Sequence, residues 1–514
     1  MIAAAELSEN GAKTGADGRH TAIKSFRDPA GAVYRHGNRI LRVVRPESAA
    51  ELDKFLTTGA AREAMDAGKL VRSLRISPLA SPRELCFPDG AFPPGEFPIP
   101  DDAFHNEPGT AFYEHERVWF PSYPHEWPAE LLYAAAQLTA DLFNAALSEG
   151  FGLKDATPYN VLFRGTSPLF VDVLSFERRE PRDATWIAYA QFVRTFLLPL
   201  LAHREFGVPA ADIFLRRRDG WEPEELFRWA GLRKLLSPAF LGLVTLPHWM
   251  ARWMAKSTET AMPGTYRSPL LDSAEKARFI LEHLLDDCRR KLVRLEPRAT
   301  ASAWTDYLDH KSLYTPAQLD QKERFVREAL DLVKPRTALD VGANEGRFSF
   351  LAARQGTSVV AIDTDAAVAG ILWRGARAQG LDVLPLVVDL TRPTPALGWR
   401  NQECASFLER AHGSFDMVMM LAVIHHMLVT ERIPLGEMLR LAAELTRGYL
   451  LIEFVAPSDP MFIRIARGRE MLHADLTRTA FEAAASAHFD LIKSQPLDGL
   501  DRCLYLYRLR PNNA

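Results

Sequence analysis

Residues 337–348 (Thr-Ala-Leu-Asp-Val-Gly-Ala-Asn-Glu-Gly-Arg-Phe) constrain this chain more than any other stretch. An apolar run enters a turn built on Gly342 and Gly346, and a helical pattern follows. One strand later, residues 359–363 (Val-Val-Ala-Ile-Asp) form a second apolar run that ends in a carboxylate, Asp363. A turn lined by glycine lets a ligand approach the backbone closely, and an acid at the next strand tip can accept hydrogen bonds from a ribose. The pair predicts a nucleoside-bearing ligand in the C-terminal part of the chain.

From residue 317 onward, helical and strand patterns alternate, which predicts a parallel sheet covered by helices. Four strand tips are expected at Asp340-Val-Gly342, at Asp363, at Asp389, and where residues 415–420 run into Leu421. A fifth is expected at Glu453, and a closing hairpin at 489–496 and 503–509. In such sheets ligands bind beyond the carboxyl ends of the strands, at a switch point.

The glycine spacing narrows the ligand. A dinucleotide site would carry GxGxxG, but Asn344 stands where the second glycine belongs, leaving a pyrophosphate a poor seat and disfavouring a nicotinamide-dependent oxidoreductase. The pattern Asp340-Val-Gly-Ala-Asn-Glu-Gly346 resembles the first motif of class I S-adenosylmethionine-dependent methyltransferases, over roughly residues 303–514. The resemblance implies a Rossmann-like seven-stranded α/β domain with S-adenosyl-L-methionine as cofactor. It also implies that Asp340, Gly342, Asn344 and Gly346 form the first motif, with Gly342, Asn344 and Gly346 lining the methionine part. Asp363 would accept from both ribose hydroxyls, and Asp389 from the adenine amino group. Leu390 would pack near the base, and Leu421 and Ala422 would lie beneath the sulfonium.

A sulfonium is an activated donor, so the protein mainly has to align the reactants. An alcohol acceptor also needs a base. His425 and His426 follow the fourth strand tip, and Glu453 is the third candidate. Adjacent helical residues do not face one point, so one of the two histidines is expected to act, His425 being preferred. Tyr307, Tyr314 and Lys322 precede the first motif and are read as lid residues or as an aromatic interdomain contact.

In the N-terminal half, Asp155 is followed by Asn160, and a strand pattern then ends in Asp172. The order resembles protein kinases and aminoglycoside phosphotransferases, which implies an α+β kinase-like domain with Asp155 as base and Asn160 and Asp172 as metal ligands. Several features depart from it. The first hairpin, residues 32–44, offers only Gly37 at its turn and Gly31 before it, and its second strand has no lysine. Leu153 stands in place of the loop histidine, and Val173-Leu174 in place of Phe-Gly. The expectation is a kinase-like fold without working kinase chemistry and with no resident metal. The division expected is a disordered tail (1–24), a kinase-like accessory domain with a helical extension (25–300), and a methyltransferase domain (301–514).

With 62 Lys and Arg against 65 Asp and Glu, the net charge of -3 gives no general case for nucleic-acid binding. Cys86, Cys288, Cys404 and Cys503 are scattered and form no zinc or disulfide pattern. No signal peptide is read at the N-terminus, so the cytoplasm is the expected location. The apolar stretch 235–254 is too interrupted to span a bilayer and reads as a buried helix pair, with membrane-surface contact through Trp249, Trp253 and Lys256 as the alternative. The aromatic run 112–127 reads as a pocket wall or as packing between lobes. Residues 174–177, 398–403 and 421–427 resemble bacterial nodulation-type and polysaccharide-locus methyltransferases, which implies O-methylation of a glycan, glycolipid or other small molecule. The rivals are a bifunctional kinase–methyltransferase and a non-catalytic cofactor-binding scaffold.

Overall fold

The computed structural model describes residues 28–76, 108–257, 270–299, 302, 304–305 and 314–511. The expected tail, Cys86, Tyr307 and most of the Pro-rich stretch 78–108 lie outside them. The chain divides into two compact units, residues 1–50 with 73–117, and residues 51–72 with 118–514.

The first unit is an antiparallel sheet. Strands β1 (Gly31–His36) and β2 (Arg39–Val44) form the expected hairpin, β3 is Ser73–Ile76 and β4 is Ala111–His115, in the order β1-β2-β4-β3. His36 pairs with Arg39, so Gly37 and Asn38 make a two-residue turn, and Gly37 takes the positive φ (56°) that such a turn needs.

In the second unit, the helix Ala129–Ser148 starts after Pro128, and Gly150 (φ 81°) follows its C-cap. Short strands β5 (Phe151–Leu153), β6 (Val161–Arg164), β7 (Ser167–Phe170) and β8 (Phe176–Arg178) pair as β5-β8 and β6-β7. Among the described residues, helices make up most of the stretch from Tyr189 to Arg294.

The C-terminal part is a seven-stranded sheet ordered β11-β10-β9-β12-β13-β15-β14. Its strands are β9 (Thr337–Val341), β10 (Ser358–Asp363), β11 (Val383–Val387), β12 (Phe415–Met420), β13 (Thr446–Val455), β14 (Phe489–Pro496) and β15 (Arg502–Leu509). The first five run parallel, and the closing hairpin adds antiparallel strands. The order reverses between β9 and β12, which sets the crevice at their carboxyl ends. β9 and β10 are buried almost throughout, as a sheet covered on both faces requires. The helix Pro316–Val333 opens with a capping box between Thr315 and Gln318, and buries Phe325, Val326, Ala329 and Leu330 in the core.

Two expectations change. Glu453 lies inside β13, not at its tip, because the strand continues to Val455. The stretch 235–254 is only half buried: Leu235, Phe240, Leu243 and Val244 are covered, but Leu246, Trp249, Met250 and Trp253 are exposed. An apolar stripe shows that a helix has an apolar face without showing what covers it.

Candidate active site

The turn after β9 explains the glycine motif. Gly342, Asn344 and Gly346 all have positive φ (66°, 50° and 88°), and asparagine is the residue other than glycine that tolerates this best. The amides of Gly342 and Ala343 both donate to the carbonyl of Ile362 (2.9 and 3.0 Å), which hooks the turn over the end of β10. A Cβ on Gly342 would meet Val423 Cγ2 at 2.6 Å, and one on Gly346 would meet Leu372 Cγ at 2.6 Å. The first glycine thus admits the chain after β12, and the second admits the helix Ala366–Gln379.

Asp363 stands beside this turn. Its Oδ2 accepts from the amide of Asn344 (2.9 Å) and its Oδ1 from the amide of Asp365 (3.0 Å). Asp365, not Asp363, caps the following helix through the amide of Ala367. Each Asp363 oxygen keeps a lone pair for a further donor. Burial raises its pKa, and the two amides partly offset this. Asp340, behind the turn, is buried and accepts from Ser349 Oγ (2.6 Å); burial pushes its carboxyl up to about 7. Asp389 lies two residues beyond β11. It holds the Thr391 amide (2.9 Å) and the Arg392 guanidinium (3.2 Å), so it is a turn residue as well as part of the pocket wall.

A cavity of about 420 Å³ opens here, and its walls bring together Asp340, Gly342, Asn344, Asp363, Asp389, Leu390, Leu421, Ala422, His425 and His426. Gly346 is absent from the wall and acts through packing. Ala422 has φ 57°, a left-handed conformation that costs a β-carbon-bearing residue roughly 1–2 kcal/mol. The bend sends the chain from β12 into the helix Ile424–Val429. His425 is buried, and among the described residues neither of its ring nitrogens has a hydrogen-bond partner. Burial first, then the charges of His426, Arg502 and Lys322, hold it well below the usual imidazole range. Burial and Arg502 lower His426 to about 4, and Trp304 meets its ring edge-on at 5.4 Å.

Glu453 sits behind this wall. Its Oε1 accepts from Tyr314 Oη (2.6 Å) and lies 3.4 Å from Arg502 Nη1, while Lys322 Nζ lies 2.6 Å from its Oε2. Arg502 in turn grips Asp459 through two nitrogens (2.8 and 2.9 Å). Burial alone would raise the Glu453 pKa, but Lys322 and Arg502 outweigh it and hold the carboxylate below its ordinary range. Tyr314, Lys322 and Arg502 reach the cavity; Glu453 organises them from behind. Arg502, Asp459 and Val423 were missed in the sequence, where nothing local marks them.

The aromatic run contributes packing here: Phe120 meets Phe407 and Phe415 at 6.0 and 5.6 Å. In the accessory region, Asn160 Nδ2 donates to the Asp155 carbonyl (3.4 Å) and to Ser175 Oγ (3.1 Å), and Ser175 donates to Asp172 Oδ2 (2.6 Å).

The cavity's residues suit an adenosyl sulfonium. Asp363 has spare acceptor capacity for vicinal hydroxyls, Leu390 and Val388 offer an apolar face for a base, and the glycine turn leaves room at the backbone. Residues 313–504 match the family described as "Methyltransferase domain". The chain is an S-adenosylmethionine-dependent methyltransferase. Nodulation protein NoeA of Rhizobium meliloti (strain 1021) is similar to this enzyme along nearly its whole length, 28% identical over 486 residues, covering 94% of this chain and 95% of the relative. Among solved structures, the PH0226 protein of Pyrococcus horikoshii OT3 is 17% identical, covering 40% of this chain and 95% of that one (TM-score 0.29). The N-methyltransferase NodS of Bradyrhizobium japonicum WM9, in complex with S-adenosyl-L-homocysteine, is 13% identical, covering 41% and 93% (TM-score 0.30).

Proposed function

We propose that this methyltransferase acts on a hydroxyl of a glycan, glycolipid or other small-molecule acceptor, with His425 as the base. One observation carries the reading: a buried imidazole with both nitrogens unpartnered, among the described residues, lines the same cavity as the Gly342 turn and Asp363. A buried polar group without a partner is costly, so its retention suits a ligand that supplies one. The depressed pKa keeps the ring neutral at pH 7, ready to take the acceptor's proton on a ring nitrogen. Glu453 is the weaker candidate, because three partners already engage its carboxylate.

When bound, S-adenosylmethionine supplies the activated methyl group. Asp363 would hold its ribose hydroxyls, Asp389 its adenine amino group, and Leu390 the face of the base. The backbone at Gly342 and Asn344 would border the methionine part, with Leu421 and Ala422 beneath the sulfonium. The acceptor class rests on the resemblance to nodulation-type methyltransferases and on similarity to a nodulation protein over 94% of the chain. Incubating the enzyme and radiolabelled methyl donor with cell-envelope extract tests it. Label in a glycan or lipid-linked glycan supports the reading, and label confined to protein opposes it.

The region 25–300 carries a second reading. Asn160, Ser175 and Asp172 form one hydrogen-bonded chain beside Asp155, which favours a kinase-like fold for this region. ATP hydrolysis that disappears in Asp172→Ala would make the enzyme bifunctional; no hydrolysis leaves a kinase-like scaffold.

A further inference from the structure

We propose that the surface built by residues 226–257 docks on an anionic lipid bilayer. The helix Leu246–Ser257 carries Leu246, Trp249, Met250 and Trp253 at the i, i+3, i+4, i+7 spacing that normally faces a core. Here the stripe faces outward, with exposures of 45%, 52%, 61% and 72%. The helix is held from its other side: His248 is buried and stacks on Phe227 at 4.0 Å. Thr245 Oγ1 donates to the Leu235 carbonyl (2.8 Å), which brings the turn Leu232–Leu235 beside the start of the helix. Leu232 and Leu236 at that turn are 80% and 70% exposed. An exposed apolar surface of this kind marks an interaction site.

The charge identifies the occupant. Residues 226–257 contain Arg228, Arg233, Lys234, Arg252 and Lys256 and no Asp or Glu, in a chain whose net charge is -3. Of the acids that border the stretch, Glu205 pairs with Lys234 (3.0 Å), Glu225 pairs with Arg217 (2.6 Å) and Glu224 lies 3.9 Å from His248, while Glu259 follows it in sequence. Arg228, Arg233 and Arg252 are exposed. Exposed Leu, Met and Trp with a basic surround is the composition of a helix lying in the headgroup region, where tryptophan sits at the interface and arginine attracts anionic lipid. Among the described residues no helix is long and apolar enough to cross a membrane, so this one would lie on it. A second copy is a poorer partner, since a two-fold contact would set this basic stretch against itself without an acid from within it.

Sedimentation of the enzyme with vesicles tests the proposal. Phosphatidylcholine vesicles doped with phosphatidylglycerol should pellet the enzyme, pure phosphatidylcholine should pellet much less, and added salt should release it. The pair Trp249→Ser with Trp253→Ser should weaken the affinity by about tenfold or more, and Arg233→Glu with Arg252→Glu should remove the preference for anionic vesicles. Cofactor binding by calorimetry, unchanged in both, confirms that the variants fold. The proposal is overturned if the unmutated enzyme does not pellet with anionic vesicles, or if the variants pellet as well as it does. It is also overturned if the tryptophan substitutions convert a dimer to a monomer while vesicle binding is absent, which would assign the surface to a second copy.

Discussion

Glu126 and Arg410, 284 positions apart in sequence, form an ion pair whose side chains are 0% and 5% exposed. The same Glu126 Oε1 accepts from Thr394 Oγ1 (2.9 Å), and Arg410 Nη1 also donates to the Pro121 carbonyl (2.7 Å). Thr394 follows the loop that carries Asp389 and Leu390 into the cavity. The segment before the helix Ala129–Ser148 therefore braces the wall expected to hold the adenine.

Glu126→Ala should therefore act on stability and on the cofactor. Removing one partner of a buried pair leaves the other charge uncompensated, at a cost of about 3–5 kcal/mol. Denaturant unfolding should show that loss. Calorimetry should show weaker cofactor affinity in whatever remains folded, with Thr394→Val reproducing part of the affinity effect.

At Gly342, even Ala should weaken cofactor binding strongly and Val should abolish it. The new Cβ meets Val423 at 2.6 Å, and φ 66° strains any residue with a β-carbon. Adding Val423→Ala to Gly342→Ala should restore part of the affinity, because it removes the collision but not the strain. Calorimetry on the three variants checks the order.

Removing the carboxylate of Glu453 should be harsher than removing the Tyr314 hydroxyl. Glu453→Ala strands Lys322 behind the cavity wall, while Arg502 keeps Asp459, again about 3–5 kcal/mol. Tyr314→Phe deletes a hydroxyl that donates to Glu453 and accepts from Arg502 and Lys322, but strands no charge, and should cost about 1–3 kcal/mol. Thermal unfolding of both variants gives the comparison. Equal effects would contradict the network described.

The pH dependence follows from the buried histidines. Above about 6.5 both folded and unfolded states hold neutral rings. As pH falls below that, the unfolded chain takes up protons that folded His426 and His125 resist until about 4, so folding stability should fall across this window. Asp340 acts in the opposite sense: with a folded pKa of about 7, its contribution is lost as pH rises from about 4 to 7. In kcat/KM no inflection is expected near 6.5, since His425 is already neutral there; an imidazole inflection at 6.5 would contradict its burial.

Much of the C-terminal sheet was legible because its signals are local. Strand periodicity and glycine spacing placed β9, β10, the turn and Asp363 correctly, and Pro128 and Gly150 bracketed their helix. The contacts that complete the site are remote. Arg502 reaches Tyr314 across 188 positions and Arg410 reaches Glu126 across 284, and no periodicity encodes such pairings. Glu453 was noticed as a strand-end acid, but its role as an anchor emerges only when Lys322 and Arg502 arrive from other elements. The outward stripe at Trp249 shows the same limit, since the pattern fixes a face and only the fold decides its surroundings.

The chemistry proposed for this enzyme depends on a methyl-donor site built on the Gly342 turn and Asp363. Calorimetry of the purified enzyme with S-adenosylmethionine and its demethylated product, paired with Asp363→Ala, tests it most directly. The unmutated enzyme should bind both ligands at one site, and Asp363→Ala should lose about tenfold or more in affinity, as expected for a charged group that accepts two hydrogen bonds. Absence of binding in the unmutated enzyme, or undiminished binding in Asp363→Ala, would contradict the account.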